Sequence, residues 1–239
     1  KQKQDIEDAI IIHPELPKLD SGKKVITEPG VHQISIDDYH ADKSWISSSG
    51  FVHAKKSLSE YRLYLDGYYD NNDALHFSFG NACELYLIDE ADFYRRVAIA
   101  EESKWIEEAL AENPNLKSPR ASKTFQTYKK AFEAENEGKY IIPDIGEQSF
   151  ESLKVLCARC MADEWISKVI SGAEYQNSFY WVDPETGLKL KTRPDLINRE
   201  LGIVIDIKTT LDGSPSEVSR TIAKLHYPIQ ACLQIEGVQ

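Results

Sequence analysis

Two aspartates, Asp195 and Asp206, stand 11 positions apart, and a lysine, Lys208, follows the second by two. The first closes Arg193-Pro194-Asp195 and the second opens Asp206-Ile207-Lys208. Between them lie the polar turn Asn198-Arg199-Glu200, Gly202 and the apolar run Ile203-Val204-Ile205. The order reads as strand, turn, strand, with one carboxylate on each strand. Side chains alternate faces along a strand. Asp206 and Lys208 are therefore expected on one face, with Ile203, Ile205 and Ile207 packed into a core on the other. Two carboxylates with a cation beside them suit Mg²⁺ or Mn²⁺, hard ions that take oxygen ligands. Such a site can activate water and offset charge on a phosphodiester. The plainer alternative is a surface hairpin with a salt bridge. A buried charged strand argues against it, because buried charges need partners or a metal.

Other segments must position this group. Phe79 to Leu87, with small residues at Gly80-Asn81-Ala82-Cys83, reads as a helix packed closely on a sheet. Glu84 is the one charge between Asp73 and Asp89, so it is either salt-bridged or a metal ligand. Phe179-Tyr180-Trp181 reads as a strand and Asp183-Pro184-Glu185-Thr186-Gly187 as a turn. Leu188 to Thr192 reads as the next strand, with Lys189, Lys191 and Arg193 alternating along it. Together with Ile203 to Lys208 this predicts a three-strand meander, with Glu174 at its entrance. Ser214-Pro215-Ser216-Glu217 reads as a capping box opening a helix toward His226. Tyr227-Pro228-Ile229-Gln230 starts another.

Toward the N-terminus, residues 1–35 read as a peripheral extension, with His32 to Ile36 alternating as a short strand. Ser47-Ser48-Ser49-Gly50 reads as a helix start. Leu58, Tyr61, Leu65 and Tyr68 follow at helical spacing, and Asp70-Asn71-Asn72-Asp73 reads as a loop. Ser103 is the expected cap of a helix running to Asn113. Ser149 to Ser171 reads as helical in two pieces, with Phe150, Leu153, Cys157, Cys160 and Met161 on one stripe. Cys157-Ala158-Arg159-Cys160 lacks the second pair of a four-thiolate site, so core packing is the expectation.

The chain has 239 residues and a formal net charge of −11, which argues against electrostatic coating of nucleic acid. The distribution matters more than the sum. No acid occurs from Asn113 to Phe132, where Lys117, Arg120, Lys123, Lys129 and Lys130 lie. This stretch is either a solvated face or a contact for a phosphate backbone. No apolar run approaches a membrane span, and four cysteines in a chain this long do not make a disulfide scaffold. A reducing cytoplasm is the expected setting. The missing initiator Met and the ending at Val238-Gln239 read as trimmed ends. One domain over residues 36–239, cut short at the C-terminus, is expected after the extension.

A helix with an acid, strands carrying Asp and Asp-x-Lys, then a helix: this order resembles the PD-(D/E)xK nuclease superfamily. Within it, several stretches resemble the RecE type, exodeoxyribonuclease VIII. They are Asp38-Tyr39-His40 with Ile46-Ser47-Ser48-Ser49, Phe79-Gly80-Asn81-Ala82 with Leu85 and Leu87, and Ala134-Glu135-Asn136-Glu137-Gly138-Lys139. The densest match runs from Ala173-Glu174 through Tyr180-Trp181, Asp183 to Gly187 and Arg193-Pro194-Asp195 to Asp206-Ile207-Lys208-Thr209-Thr210. Tyr227 and Gln230 fit the closing motif. One departure is Glu84, where the family usually has His. The change could preserve a ligand, alter metal preference or mark a less active enzyme.

The resemblance implies an α/β fold with a central mixed sheet flanked by helices. It implies ATP-independent digestion of linear duplex DNA from the 5′ end by a ring-shaped homo-oligomer, often of phage origin. A 3′ single strand would be left for an annealing (RecT-like) partner. On this reading Asp195, Asp206, the Ile207 carbonyl and Glu84 hold two Mg²⁺ or Mn²⁺ ions. Lys208 positions the attacking water, Glu174 orients neighbours or binds metal through water, and Gln230 and Tyr227 hold Lys208 or a phosphate. Lys191 and Arg193 would handle the scissile region, with Lys117, Arg120, Lys123 and Lys130 gripping DNA farther along. An endonuclease on the same core, or a DNA-binding module that has lost catalysis, are the alternatives.

Overall fold

A computed structural model describes residues 25–69, 75–175 and 177–239, with backbone alone for 75–77. Residues 1–24 and the loop expected at Asp70 to Asp73 lie outside the described residues. The fold is mixed α and β. The chain forms two compact units, each discontinuous in sequence. One comprises the described parts of residues 1–66, 177–193 and 226–239; the other comprises those of 67–176 and 194–225.

The first unit is built on an antiparallel sheet of β1 (Gly30–His32), β5 (Ser178–Val182) and β6 (Lys189–Thr192), in the order β1-β5-β6. The β5–β6 turn is held by the Thr186 amide donating to Asp183 at 2.8 Å, and it closes at Gly187 with φ +71°. Around the sheet are α1 (Ile36–Ala41), α2 (Ser48–Lys56), α3 (Leu58–Leu65) and α11 (Tyr227–Val238). Ile26, Ile34, Tyr39, Trp45 and Tyr180 form the buried core. Residues 25–35, expected to be peripheral, thus contribute a strand and two core side chains. The strand expected at 32–36 lies at 30–32, because the Ser35 hydroxyl accepts from the Asp38 amide and starts α1 instead.

The second unit carries α4 (Leu75–Ile88), α5 (Glu90–Arg96), β2 (Val97–Ala100), α6 (Glu102–Glu112), α7 (Lys123–Glu135), β3 (Tyr140–Pro143), α8 (Phe150–Ala162) and α9 (Glu164–Ile170). Then come β4 (Glu174–Tyr175), β7 (Leu196–Asn198), β8 (Ile203–Ile205) and α10 (Pro215–Lys224). β2 and β3 pair in parallel, and β4-β7-β8 form an antiparallel sheet. α4 is apolar on most sides and buries Phe79, Ala82, Cys83 and Leu85 against Phe93, Ile142, Leu153 and Cys157. Cys157 is therefore a core residue, as its stripe predicts, whereas Met161 is 39% exposed. Ser149 and Asp163 cap the two pieces, α8 and α9.

Three local expectations change. The expected meander is split, because β6 lies in one sheet and β7 and β8 in another. Pro194 stands at the break; it has no N–H to continue a ladder, and β7 has β4 and β8 as its two neighbours. The capping box at Ser214 does not form: Glu217 pairs with Arg220, and the Ser214 amide donates to Asp212 Oδ1 at 2.8 Å. Ser103 is not the cap of α6; its amide donates to Asp144 Oδ1 at 3.1 Å, and its hydroxyl also bonds Asp144.

Candidate active site

The β7–β8 hairpin is what brings the two aspartates together. Its register pairs Leu196 with Ile205, so one further step sets Asp195 opposite Asp206 at the open end. The ladder does not continue there. Instead the Ile207 amide donates to Asp195 Oδ2 at 2.6 Å and closes the end. Asp206 and Lys208 lie past the last residue of β8, and Lys208 Nζ is ion-paired to Asp206 Oδ2. The two side chains expected on one face are thus held together by an ion pair, just beyond the end of the strand. The run Ile203 to Ile205 is half-buried, less enclosed than its apolar sequence predicts.

Helix α4 supplies the third carboxylate. Gly80 and Glu84 are four residues apart and share one face of the helix. A Cβ at Gly80 would meet Thr209 Oγ1 at 3.3 Å, so the segment after Lys208 runs close along that face. Glu84 acts electrostatically on Asp195. Burial pushes the Asp195 carboxyl up to about 8, and the negative charges of Glu84 and Asp206 add to the shift. The Ile207 amide and Lys208 work in the opposite direction.

Asp195, Asp206 and Glu84 are half-buried carboxylates, and the charges of the last two raise the proton affinity of Asp195, so the set is short of positive charge. Their oxygens are the donors that Mg²⁺ and Mn²⁺ take. By donor type and charge the residues fit a hard divalent ion. Among the described residues no three His, Cys, Asp or Glu side chains are gathered as tightly as a metal-holding cluster. Lys208 is the cation that the side chains themselves supply.

A family model described as a PDDEXK-like domain of unknown function (DUF3799) matches residues 47–239. The chain belongs to this family. Comparison with curated proteins gives no match. The PDDEXK-like domain is of nuclease type, and PD-(D/E)xK nucleases generally use divalent metal ions. No helix among the described residues is long and apolar enough to cross a membrane.

Not every expected site residue joins the acid cluster of the PDDEXK-like domain. Glu174 pairs in register with Ile197, and its carboxylate accepts from Arg199 Nε at 2.9 Å, at the turn end of the hairpin. Asp195 and Asp206 lie at the other end. Lys191, expected to face DNA, is 2% exposed. It donates to the carbonyls of Tyr39 and Asp42 and lies 4.4 Å from the centre of the Tyr39 ring. Arg193, expected beside it on DNA, donates to the Ile34 carbonyl at 2.8 Å and to Ser178 Oγ at 2.9 Å. Both basic side chains tie the first unit together. Tyr227 and Gln230 are half-buried in the first turn of α11, in that same unit.

Along the basic stretch Lys117, Lys123 and Lys130 are exposed. Arg120 differs, because its Nε is 2.8 Å from Glu102 Oε2, which engages much of its charge. Sequence reading missed the Asp195–Ile207 hydrogen bond and the Gly80–Thr209 approach. The small residue at Gly80 was the signal for a close contact, but its partner lies 129 positions away and left no local trace.

Proposed function

We propose that this PDDEXK-like domain hydrolyses phosphodiester bonds of linear double-stranded DNA in a divalent-metal-dependent, ATP-independent reaction, as an exonuclease acting 5′ to 3′. The observation that carries the reading is the cluster of Asp195, Asp206 and Glu84 with Lys208 bonded to Asp206. Asp195 and Asp206, with the Ile207 carbonyl, are the proposed metal ligands, and Glu84 completes the set. Mg²⁺ or Mn²⁺, when bound, supplies Lewis-acid activation of water and neutralises phosphate charge. Lys208 Nζ then has two tasks: orienting the attacking water and stabilising charge that develops on the phosphate oxygens. The exposed lysines Lys117, Lys123 and Lys130 are proposed to hold phosphates beyond the cut. The 3′ strand left behind would pass to an annealing protein, and a homo-oligomeric ring would keep the enzyme on its track. These last two features rest on the resemblance to the RecE type.

The test is a timed digest of end-labelled linear duplex with and without Mg²⁺ or Mn²⁺, beside closed circular DNA. Loss of label first from the 5′ end, with circular DNA intact, supports the reading. Cutting of circular DNA would make it an endonuclease, and no digestion with either ion would make it a binding module.

A further inference from the structure

The segment that carries Asp206 and Lys208 runs on to α10 without regular structure, over residues 206–214. Its near half belongs to the acid cluster: the Ile207 amide bonds Asp195, and Thr209 Oγ1 stands 3.3 Å from where a Cβ at Gly80 would be. Its far half closes on itself. Thr210 Oγ1 donates to the Asp212 carbonyl at 3.1 Å, and the Ser214 amide donates to Asp212 Oδ1 at 2.8 Å. Leu211 stands between the two halves. It is 88% exposed, the most exposed large apolar side chain among the described residues.

Single exposed leucines are ordinary on protein surfaces. Leu211 is set apart by its place. Three residues of extended chain span at most about 11 Å, so its backbone lies within that distance of Lys208. Successive nucleotides of one strand are about 3.4 Å apart along a duplex. A phosphate held beside Lys208 therefore has its nearest few bases within reach of Leu211. The surrounding charge favours bases over backbone. No Lys or Arg occurs between Lys208 and Arg220, where Asp212 and Glu217 are acids. Arg220 itself is ion-paired to Glu217. An apolar tip flanked by acids repels phosphate and suits the apolar faces of bases.

We propose that Leu211 inserts against the terminal base pair of a DNA duplex and parts the strand to be cut from its complement. The inference rests on the reading of the domain as an exonuclease on duplex ends. An enzyme that shortens one strand of a duplex must separate that strand at its end. Apolar side chains, Leu among them, unstack base steps by inserting between them. Lys208 and the carboxylates act on the phosphodiester, whereas Leu211 acts on stacking and sets how readily a paired end is accepted. An apolar contact reads no hydrogen-bond pattern, so every terminal pair is a substrate for it.

Two measurements on the full chain test it. The first is digestion, with Mn²⁺, of a duplex with a fully paired end and of the same duplex with its terminal pairs mismatched. Wild type, Leu211→Met and Leu211→Ala are compared. Stacking of one base step is worth about tenfold in an equilibrium. In Leu211→Ala the ratio of paired-end to mismatched-end rate should therefore fall about tenfold. Leu211→Met keeps an apolar side chain of similar size and should keep the wild-type ratio. The melting temperature should stay in place, because the side chain lies outside the core. The second measurement needs no cutting. A duplex with 2-aminopurine in its terminal pair is saturated with Asp206→Ala protein, with binding followed by anisotropy. Its fluorescence should rise with Leu211 in place and stay low when Leu211→Ala is added. A wild-type rate ratio in Leu211→Ala, or a fluorescence rise that does not depend on Leu211, overturns the inference. If the wild type digests neither duplex, the exonuclease reading fails; a rise that depends on Leu211 would then still support the parting of bases, and no binding or no rise would end both.

Discussion

Asp195 and Ile207 are joined across the open end of the β7–β8 hairpin by a 2.6 Å hydrogen bond from the Ile207 amide to Asp195 Oδ2. One carboxylate oxygen thereby closes the hairpin while the group faces Glu84 and Asp206. Asp195→Ala is expected to remove both the hairpin lock and a proposed ligand. Asp206→Ala leaves the lock and removes a proposed ligand together with its half-exposed ion pair to Lys208. The first should therefore lower both melting temperature and nuclease activity, and the second should lose digestion of linear duplex with little loss of stability. Full digestion by Asp206→Ala would rule out the assigned centre.

Glu84→Ala is expected to reduce metal-dependent digestion strongly. Glu84→His should restore part of it, because imidazole also binds divalent metals. A Glu84→Ala protein with wild-type rate and metal dependence would mean that Glu84 is a structural acid.

Burial lowers the pKa of Lys191 to about 8, although its two carbonyl partners keep it in place. Below pH 8 the lysine is charged in both the folded and unfolded states, and the folded protein carries the cost of the buried charge. Between pH 8 and 10.5 the unfolded chain holds that proton and the folded one has released it. Stability from this group therefore rises with pH across that window, by about 3 kcal/mol in all. The measurement is denaturant unfolding of wild type and Lys191→Met from pH 7 to 10.5. The wild type should gain on the variant as pH rises, and a constant difference would count against the shift.

The three exposed lysines of the basic stretch provide a test of the DNA track. Changing Lys117, Lys123 and Lys130 together to Gln should weaken duplex binding. It should also reduce the log–log salt slope by up to about 2.7, at roughly 0.9 per lost phosphate contact. Arg120 is left unchanged because Glu102 already engages it. An unchanged slope would mean that this stretch is a solvated face.

Gly237 sits where α11 crosses the β5–β6 hairpin. A Cβ there would lie 2.7 Å from Trp181 Cζ3 and 2.8 Å from Thr192 Cγ2. Gly237→Ala should destabilise the first unit by about 1–3 kcal/mol through overpacking. A thermal melt checks it, and an unchanged midpoint would show that α11 shifts freely.

The pairing of Asp195 with Asp206 across one hairpin was legible because the two residues are close in sequence. A hairpin places Asp195 and Asp206 opposite each other from spacing alone, and an apolar helix with one acid marks Glu84. Strand alternation misread Lys191. The rule that one face is wet fails on β6, where Leu190, Lys191 and Thr192 are all buried. The partners that hold Lys191, Tyr39 and Asp42, lie about 150 positions earlier, beyond any local pattern. The meander failed for a related reason. Consecutive strands were assumed to be neighbours, but β7 pairs with the short β4, which the sequence did not mark as a strand.

The way the two units share the chain bears on how the protein is made. The unit with the acid cluster draws on nothing after Leu225 in this sequence, whereas the other also draws on residues 226–239. A chain emerging from the ribosome N-terminus first therefore has every part of the proposed catalytic centre before its first-begun unit can close. Ile26, Tyr39 and Trp45 must wait through the synthesis of more than a hundred residues for Tyr180, and the sheet waits longer still for α11. During that interval the apolar side chains of the early segment lack Tyr180 to pack against, and transiently exposed apolar surface of this kind is prone to aggregate.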